Sequence, residues 1–178
     1  AEFNVPNSLD PNFPDGKFTS SLPLPSVTTL GIAFIPNVKY SIAFDVNYVG
    51  WSVYKALEFD YEKNTTSLND TKSLRNYKNT FAFRLGGQYK SNENSTWRFG
   101  LSYVITPVQA GYVTPETPDA TRLNIAGGLS KKIIKNLNVD FSFTYQQLLR
   151  SDKNLETNLD GTFKTYVYIP GVGIHYVF

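Results

Sequence analysis

One pattern recurs along this chain and narrows its fold more than any other feature: large apolar residues at every second position, in segment after segment. In Thr96–Thr106, Trp97, Phe99, Leu101, Tyr103 and Ile105 alternate with Arg98, Gly100, Ser102, Val104 and Thr106. A period of two places successive side chains on opposite faces of a strand, so each such segment predicts a strand between two different surroundings. Val27–Ile35 repeats it with Leu30, Ile32 and Phe34, and Lys39–Val49 with Tyr40, Ile42, Phe44, Val46 and Tyr48. Tyr77–Lys90, Arg122–Lys131, Leu137–Leu149 and Lys164–Phe178 follow suit, the last running through Val172, Ile174 and Tyr176 to a terminal Phe178. After Gly50 the second strand is expected to continue as Trp51–Tyr61 through a bulge, which a strand glycine often marks. No segment carries a helical period, and about seven antiparallel strands result.

The connections alternate as regularly as the side chains. Pro36–Val38, Ser91–Ser95 and Lys132–Asn136 are short, whereas Glu62–Asn76, Pro107–Thr121 and Arg150–Phe163 are long and polar. Short turns at one end and long loops at the other are the pattern of an outer-membrane barrel, with turns in the periplasm and loops outside. The first and last strands then both descend, and Phe178 falls at the periplasmic side. A closing strand that alternates up to an aromatic end agrees with this independently of the loops.

Alternation alone also fits a soluble barrel or sandwich, with the apolar row turned inward. Side-chain size separates the two. The apolar rows are long runs of Phe, Tyr, Trp, Leu and Ile, and the opposite rows hold Gly, Ala and Ser among single charges. Seven such apolar rows would overfill a small barrel, but they suit a hydrocarbon exterior. Aromatics make up 15% of the chain, well suited to strands and membrane interfaces, and charged residues only 18%. A mean hydropathy of −0.27 does not conflict, because alternating strands average out. No apolar run is long enough for a helical span. A net charge of +2 makes no case for nucleic acid, and the absence of Cys with a single His argues against thiolate or His-rich metal sites and against a Ser-His-Asp triad. Glu58 and Asp60 alternate on one strand face and are not placed like a catalytic pair. No enzyme, cofactor or metal is expected. With neither an initiating Met nor a signal peptide, the chain is expected to be processed or a piece of a longer one.

On the inward face, the lower half is expected to hold a polar set of Lys39, Asp45, Gln88, Arg98, Asp140 and His175. Cross-strand pairing that stiffens the lumen is one role for them. Arg84 and Arg122 lie higher and are candidates for binding a carboxylate, since a guanidinium grips one with two hydrogen bonds. Val49, Val104, Leu148, Val167 and Ile169 make the upper inward face apolar, which suits a hydrophobic ligand better than a polar solute. Tyr89, Trp97, Tyr176 and Phe178 are placed at the lower membrane interface, and Trp51, Tyr54 and Phe59 are candidates for an upper aromatic girdle.

Three short motifs add to this. Tyr48-Val49-Gly50-Trp51-Ser52-Val53-Tyr54, Thr106-Pro107-Val108 and Pro118-Asp119-Ala120-Thr121-Arg122 occur in this order ahead of the closing strand. In sequence and spacing they resemble the Tyr-x-x-Trp-Ser-x-aromatic, Ser-Pro-Val and Pro-Asp-x-x-Arg stretches of the FadL-type outer-membrane transporters of long-chain fatty acids and other hydrophobic compounds. The similarity runs from about Leu24 to Phe178. It implies passive transport of such compounds, with membrane lipids as surroundings and a hydrophobic small molecule as partner. It also implies a barrel of about fourteen strands with an N-terminal plug, of which this chain resembles the C-terminal half. Residues 1–26, rich in Asn, Asp, Pro and Ser, would be an extracellular, irregular segment, and 27–178 the half-barrel.

Strand direction sharpens the expectation. Joining two descending edges would make a parallel seam, so neither a lone seven-stranded barrel nor two copies end to end would close in an antiparallel way. A missing N-terminal half, from another chain or a separate segment of the same one, is expected to complete the wall. The alternatives are a barrel that serves as scaffold in a secretion or surface-attachment complex, and a soluble lipid-binding barrel.

Overall fold

The computed structural model describes residues 2–6, 8, 9, 11–115 and 118–178. Its main body is a seven-stranded antiparallel sheet. In chain order the described strands are β1 (Glu2–Phe3), β2 (Gly16–Thr19), β3 (Val27–Asn37), β4 (Tyr40–Val49), β5 (Ala56–Tyr61), β6 (Thr71–Leu74), β7 (Thr80–Asn92), β8 (Ser95–Val104), β9 (Arg122–Ile134), β10 (Leu137–Lys153) and β11 (Asp160–Tyr176). The large sheet has the order β11-β10-β9-β8-β7-β4-β3, each strand beside its neighbour in the meander. Its strands have 10 to 17 residues, enough to cross a bilayer at a tilt.

The three short turns are tighter than the sequence suggests. β3 extends through Pro36 to Asn37, where the register with β4 shifts. The Asn37 side chain then accepts hydrogen bonds from the N–H of Lys39 (2.9 Å) and Tyr40 (3.2 Å). Asn92 does the same for the N–H of Asn94, at 2.9 Å. An asparagine that bonds its own backbone two residues on mimics a turn, which is why these hairpins close so abruptly.

Register sorts the side chains into the two expected sets. Ile32, Phe44, Leu85, Leu101, Ile125, Tyr145 and Tyr168 form one continuous row across all seven strands, on the outward face. Gly31, Asp45, Arg84, Ser102, Asn124, Gln146 and Val167 form a row on the other. The outward rows are largely exposed, with Val46, Leu129 and Tyr145 half-buried. The sheet is not closed: β3 and β11 are its edges, they run in the same direction, and no described strand pairs with the outer side of either.

Several expectations change, including the loop Glu62–Asn76, which contains β6. Trp51–Tyr61 does not continue β4. Trp51–Val53 form a 3-10 turn, and β5 then joins a second, four-stranded sheet of order β1-β2-β5-β6. Gly50 ends the wall strand, its N–H bonding Ser26 O at 2.9 Å, and the chain leaves the wall there. Arg150–Phe163 is not a loop either. β10 and β11 stay paired up to Lys153 and Asp160, leaving only 154–159 as a turn. Polar strand tips read as loop in sequence because they project past the apolar belt and alternate no longer. Of the segment 1–26, positions 1, 7 and 10 lie outside the described residues; the remainder supplies β1 and β2 to the second sheet.

Candidate functional site

At the long-loop end, the small sheet with the flanking residues 51–55 and 75–79, segments 105–115 and 118–121 and turn 154–159 come together as a cap. Its pieces carry most of the buried apolar residues described: Tyr54, Val108, Val113 and Ala120. Trp51, Tyr54 and Tyr77 form an aromatic cluster, with Tyr77 edge-on to Trp51 at 5.8 Å and to Tyr54 at 5.1 Å. They are therefore not an upper girdle strung along the wall. On β5 the alternation puts Leu57 and Phe59 opposite Glu58 and Asp60. Leu57 and Phe59 join Trp51, Tyr54 and Tyr77 as walls of a cavity of about 630 Å3, which Arg75, Thr114, Asn154 and Glu156 also line.

Arg75 is the charged group in this setting that stands out. It is only 8% exposed, and its guanidinium donates to Thr114 Oγ1 at 3.2 Å. Glu156 is held by the Ser73 hydroxyl at 2.9 Å. None of the ion pairs among the described residues includes Arg75. A desolvated guanidinium beside aromatic walls can bind a carboxylate strongly, because little water competes for it.

A second arginine, Arg150, is partly buried and holds the cap to the wall. Arg150 Nη1 donates to the carbonyls of Val108 (2.9 Å) and Asp119 (3.3 Å), Nη2 donates to Gln109 O at 2.8 Å, and the guanidinium pairs with Asp152 at 2.7 Å. Asp152 in turn accepts from the N–H of Gly111 at 3.0 Å. Burial pushes the Asp152 carboxyl up, but the Gly111 N–H, the Arg150 guanidinium and the Lys153 N–H outweigh it and hold the group below the usual carboxylate range. Gly111 has φ +88°, and a methyl there would meet Leu155, so only glycine fits this junction.

Both sequence-derived carboxylate candidates already face acids. Arg122 pairs with Asp119 at 2.8 Å, and Asp119 also accepts from the Thr106 hydroxyl at 2.6 Å. Arg84 lies 3.5 Å from Asp45 and donates to Asn47, which bonds Thr29 at 2.5 Å. In the lower set, Arg98 Nε donates to Gln88 at 3.0 Å, and Arg98, Ser130 and Asp140 continue the chain across β8, β9 and β10. Lys39 instead sits beside Lys90 at the turn end, and His175 lies opposite Asn138 on the β11 edge. Of the apolar candidates, Val104 and Leu148 share a row but have Arg122 between them. Val49 is one row higher opposite Thr80, and Val167 and Ile169 face Gln146 and Thr144. The five share a face without forming one patch. Tyr89 and Trp97 point outward near the short turns, Tyr89 stacked on Tyr40 at 4.9 Å, and Tyr176 meets Phe178 edge-on at 5.1 Å.

An antiparallel sheet with an apolar exterior, a hydrogen-bonded polar interior and a cap over one end defines a wall of an outer-membrane β-barrel protein. Residues 14–178 match the sequence model of the family described as outer membrane protein transport protein (OMPP1/FadL/TodX), and the chain belongs to that family. It is thus a protein of the bacterial outer membrane, with the cap on the outside and the short turns in the periplasm. It is 26% identical over 109 residues to the long-chain fatty acid transport protein of Escherichia coli K12, a match covering 60% of this chain and 23% of that relative. A putative outer membrane protein of Neisseria meningitidis is 29% identical over 112 residues, covering 60% and 24%. The chain thus spans about a quarter of the length of these relatives. Among solved structures, a FadL homologue of Pseudomonas aeruginosa superposes with a TM-score of 0.79 at 21% identity, over 93% of this chain and 39% of that one. The toluene transporter TbuX of Ralstonia pickettii superposes with 0.61 at 24% identity, over 91% and 36%. These two likenesses concern the fold.

Proposed function

We propose that this chain forms one side of an outer-membrane barrel that takes up hydrophobic compounds, and that an amphiphilic acid of the long-chain fatty acid class is first held in the cap cavity. The observation that carries this reading is the joining of Trp51, Tyr54, Leu57, Phe59 and Tyr77 with the buried Arg75 in one space of about 630 Å3. Aromatic walls take a hydrocarbon tail, and the guanidinium takes a carboxylate. The curated relatives named for fatty acid transport and the toluene transporters among the fold neighbours share the apolar part of this ligand chemistry; Arg75 favours the acid. Arg84 and Arg122, tied to Asp45 and Asp119, would keep the lumen rigid below, and Val104 and Leu148 would flank the way down.

The two open edges support a partner for the wall. Because β3 and β11 run the same way, antiparallel closure needs an odd number of further strands that begin and end upward. A further stretch of polypeptide, in the same chain or another, would supply them.

The test is equilibrium binding to the full-length protein of a fluorescent sixteen-carbon fatty acid and of the matching alcohol. Arg75→Ala should weaken the acid about ten-fold, the order of one charged hydrogen bond, and leave the alcohol unchanged. Tyr77→Ala should weaken both. An acid-to-alcohol ratio unaffected by Arg75→Ala would sink the proposal.

A further inference from the structure

The outward face of the wall carries a notch that the cap site does not use. One outward row reads Gly87, Phe99, Gly127 and Phe143 on β7 to β10. A methyl at Gly87 would overlap the Phe99 ring, so that ring lies across Gly87 and covers its bare backbone. At Gly127 nothing lies within 4 Å of where a methyl would sit. Phe99 thus fills one glycine gap and leaves the next one open. Around it is a cavity of about 600 Å3, lined chiefly by Trp97, Ile125, Leu129, Phe141, Phe143 and Tyr145. This surface faces the bilayer, so what meets the gap is hydrocarbon.

The lower end of the groove is charged. Lys131 follows Leu129 on the outward face of β9, in the row of Ser95 and Val139. Its ammonium donates to Ser95 Oγ at 2.8 Å, and Ser95 is only 7% exposed. None of the ion pairs among the described residues includes Lys131. Tyr40, Tyr89 and Trp97 form the row immediately above it, and such outward aromatics mark the headgroup level. Lys131 lies four positions beyond Gly127, about 13 Å along a strand. A fixed cation at headgroup depth beneath an apolar groove complements a molecule with an anionic head and a hydrocarbon chain.

We propose that this groove binds one anionic glycerophospholipid of the periplasmic leaflet. An acyl chain lies over Gly127 between Phe99 and Phe143, and the phosphate meets Lys131, whose ammonium Ser95 holds over the end of the groove. The occupant belongs to the inner leaflet because Lys131 is on the short-turn side.

Native mass spectrometry of the detergent-purified full-length protein tests this, titrated with palmitoyl-oleoyl phosphatidylglycerol or with the phosphatidylcholine of the same chains. The first phosphatidylglycerol should bind about five-fold tighter than phosphatidylcholine, the order of one lysine at a membrane surface. Lys131→Gln should erase that preference, while Lys135→Gln in the adjoining turn should keep it. Gly127→Leu should weaken the first binding of both lipids at least ten-fold, with the smaller Gly127→Val intermediate. The open space at Gly127 lets these variants fold, which heat-modifiable gel mobility verifies. A preference that survives Lys131→Gln, is lost equally in Lys135→Gln, or persists with full affinity in both Gly127 variants overturns the site.

Discussion

The wall and the cap of this molecule are built on opposite terms. In the wall, Leu30, Phe44, Leu101, Ile125 and Phe143 all stand exposed on the protein's own surface, and stability comes from the strand ladder and the surrounding hydrocarbon. In the cap, Tyr54, Val108, Val113 and Ala120 are buried, and so are Arg75, Thr114 and Asn154, much as in a small water-soluble domain. The wall needs only correct alternation and register. The cap needs specific partners, because each buried polar group there must find its hydrogen bond within the protein. Asn154, for instance, donates to Val113 O at 2.7 Å while its side-chain oxygen accepts from the N–H of Glu156 and Thr157.

If that contrast holds, single substitutions should break one region and spare the other. The largest effect is expected at Arg150, whose guanidinium ties carbonyls of segment 105–121 to Asp152 on the wall. Arg150→Ala should destabilise the cap by about 2–3 kcal/mol by freeing the Val108 and Gln109 carbonyls and leaving the partly buried Asp152 without its cation. Proteinase K should then cut within 105–121, while the barrel keeps its heat-modifiable mobility. Loss of the barrel as well would show that the two regions are one cooperative unit.

The next effect sharpens the wall side of the comparison. Leu101→Arg, on the outward face, should cost about 2–4 kcal/mol in guanidinium unfolding from lipid vesicles. Thr144→Arg, on the inward face, should stay within about 1 kcal/mol. Equal costs would mean that the outward row does not meet hydrocarbon.

The smallest effect concerns acid. Asp152 has its carboxyl held below the usual range in the folded cap, so its contribution is complete above the ordinary carboxylate value of about 4 and is lost as the pH falls through the lowered one. In a Trp97→Phe background, Trp51 fluorescence should be constant from pH 7 to about 5 and change only below about 4. Asp152→Asn should remove that acid-side change.

The alternation around Trp97–Ile105 and Phe141–Tyr145 was enough to read the strands, their outward faces and their up-and-down sense, since a period of two is a property of the backbone itself. It misled where the chain left the wall, because Ala56–Tyr61 alternates in the small sheet just as a wall strand would. Arg84 and Arg122 could be read as inward cations, but not as paired ones, because Asp45 faces Arg84 from 39 residues away. Arg75 is not legible as a buried cation: it lies in a mostly polar stretch, Lys72–Lys78, where Leu74 and Tyr77 make no period that would suggest burial. The one usable signal was its closeness to Tyr77 and to the Trp51–Tyr54 pair.

By itself the sequence determined a membrane wall, the face each wall residue presents and the direction of its edges, because local pattern and loop length carry that information. Only the tertiary structure decided which segments meet. It brought Arg75 to Thr114 across 39 residues and gathered the aromatics of two separate segments around one cavity. It also set Gly127 between Phe99 and Phe143, above Lys131. Such contacts depend on cross-strand register and loop packing, in which residues distant along the chain compete for the same space, and no local period encodes the outcome.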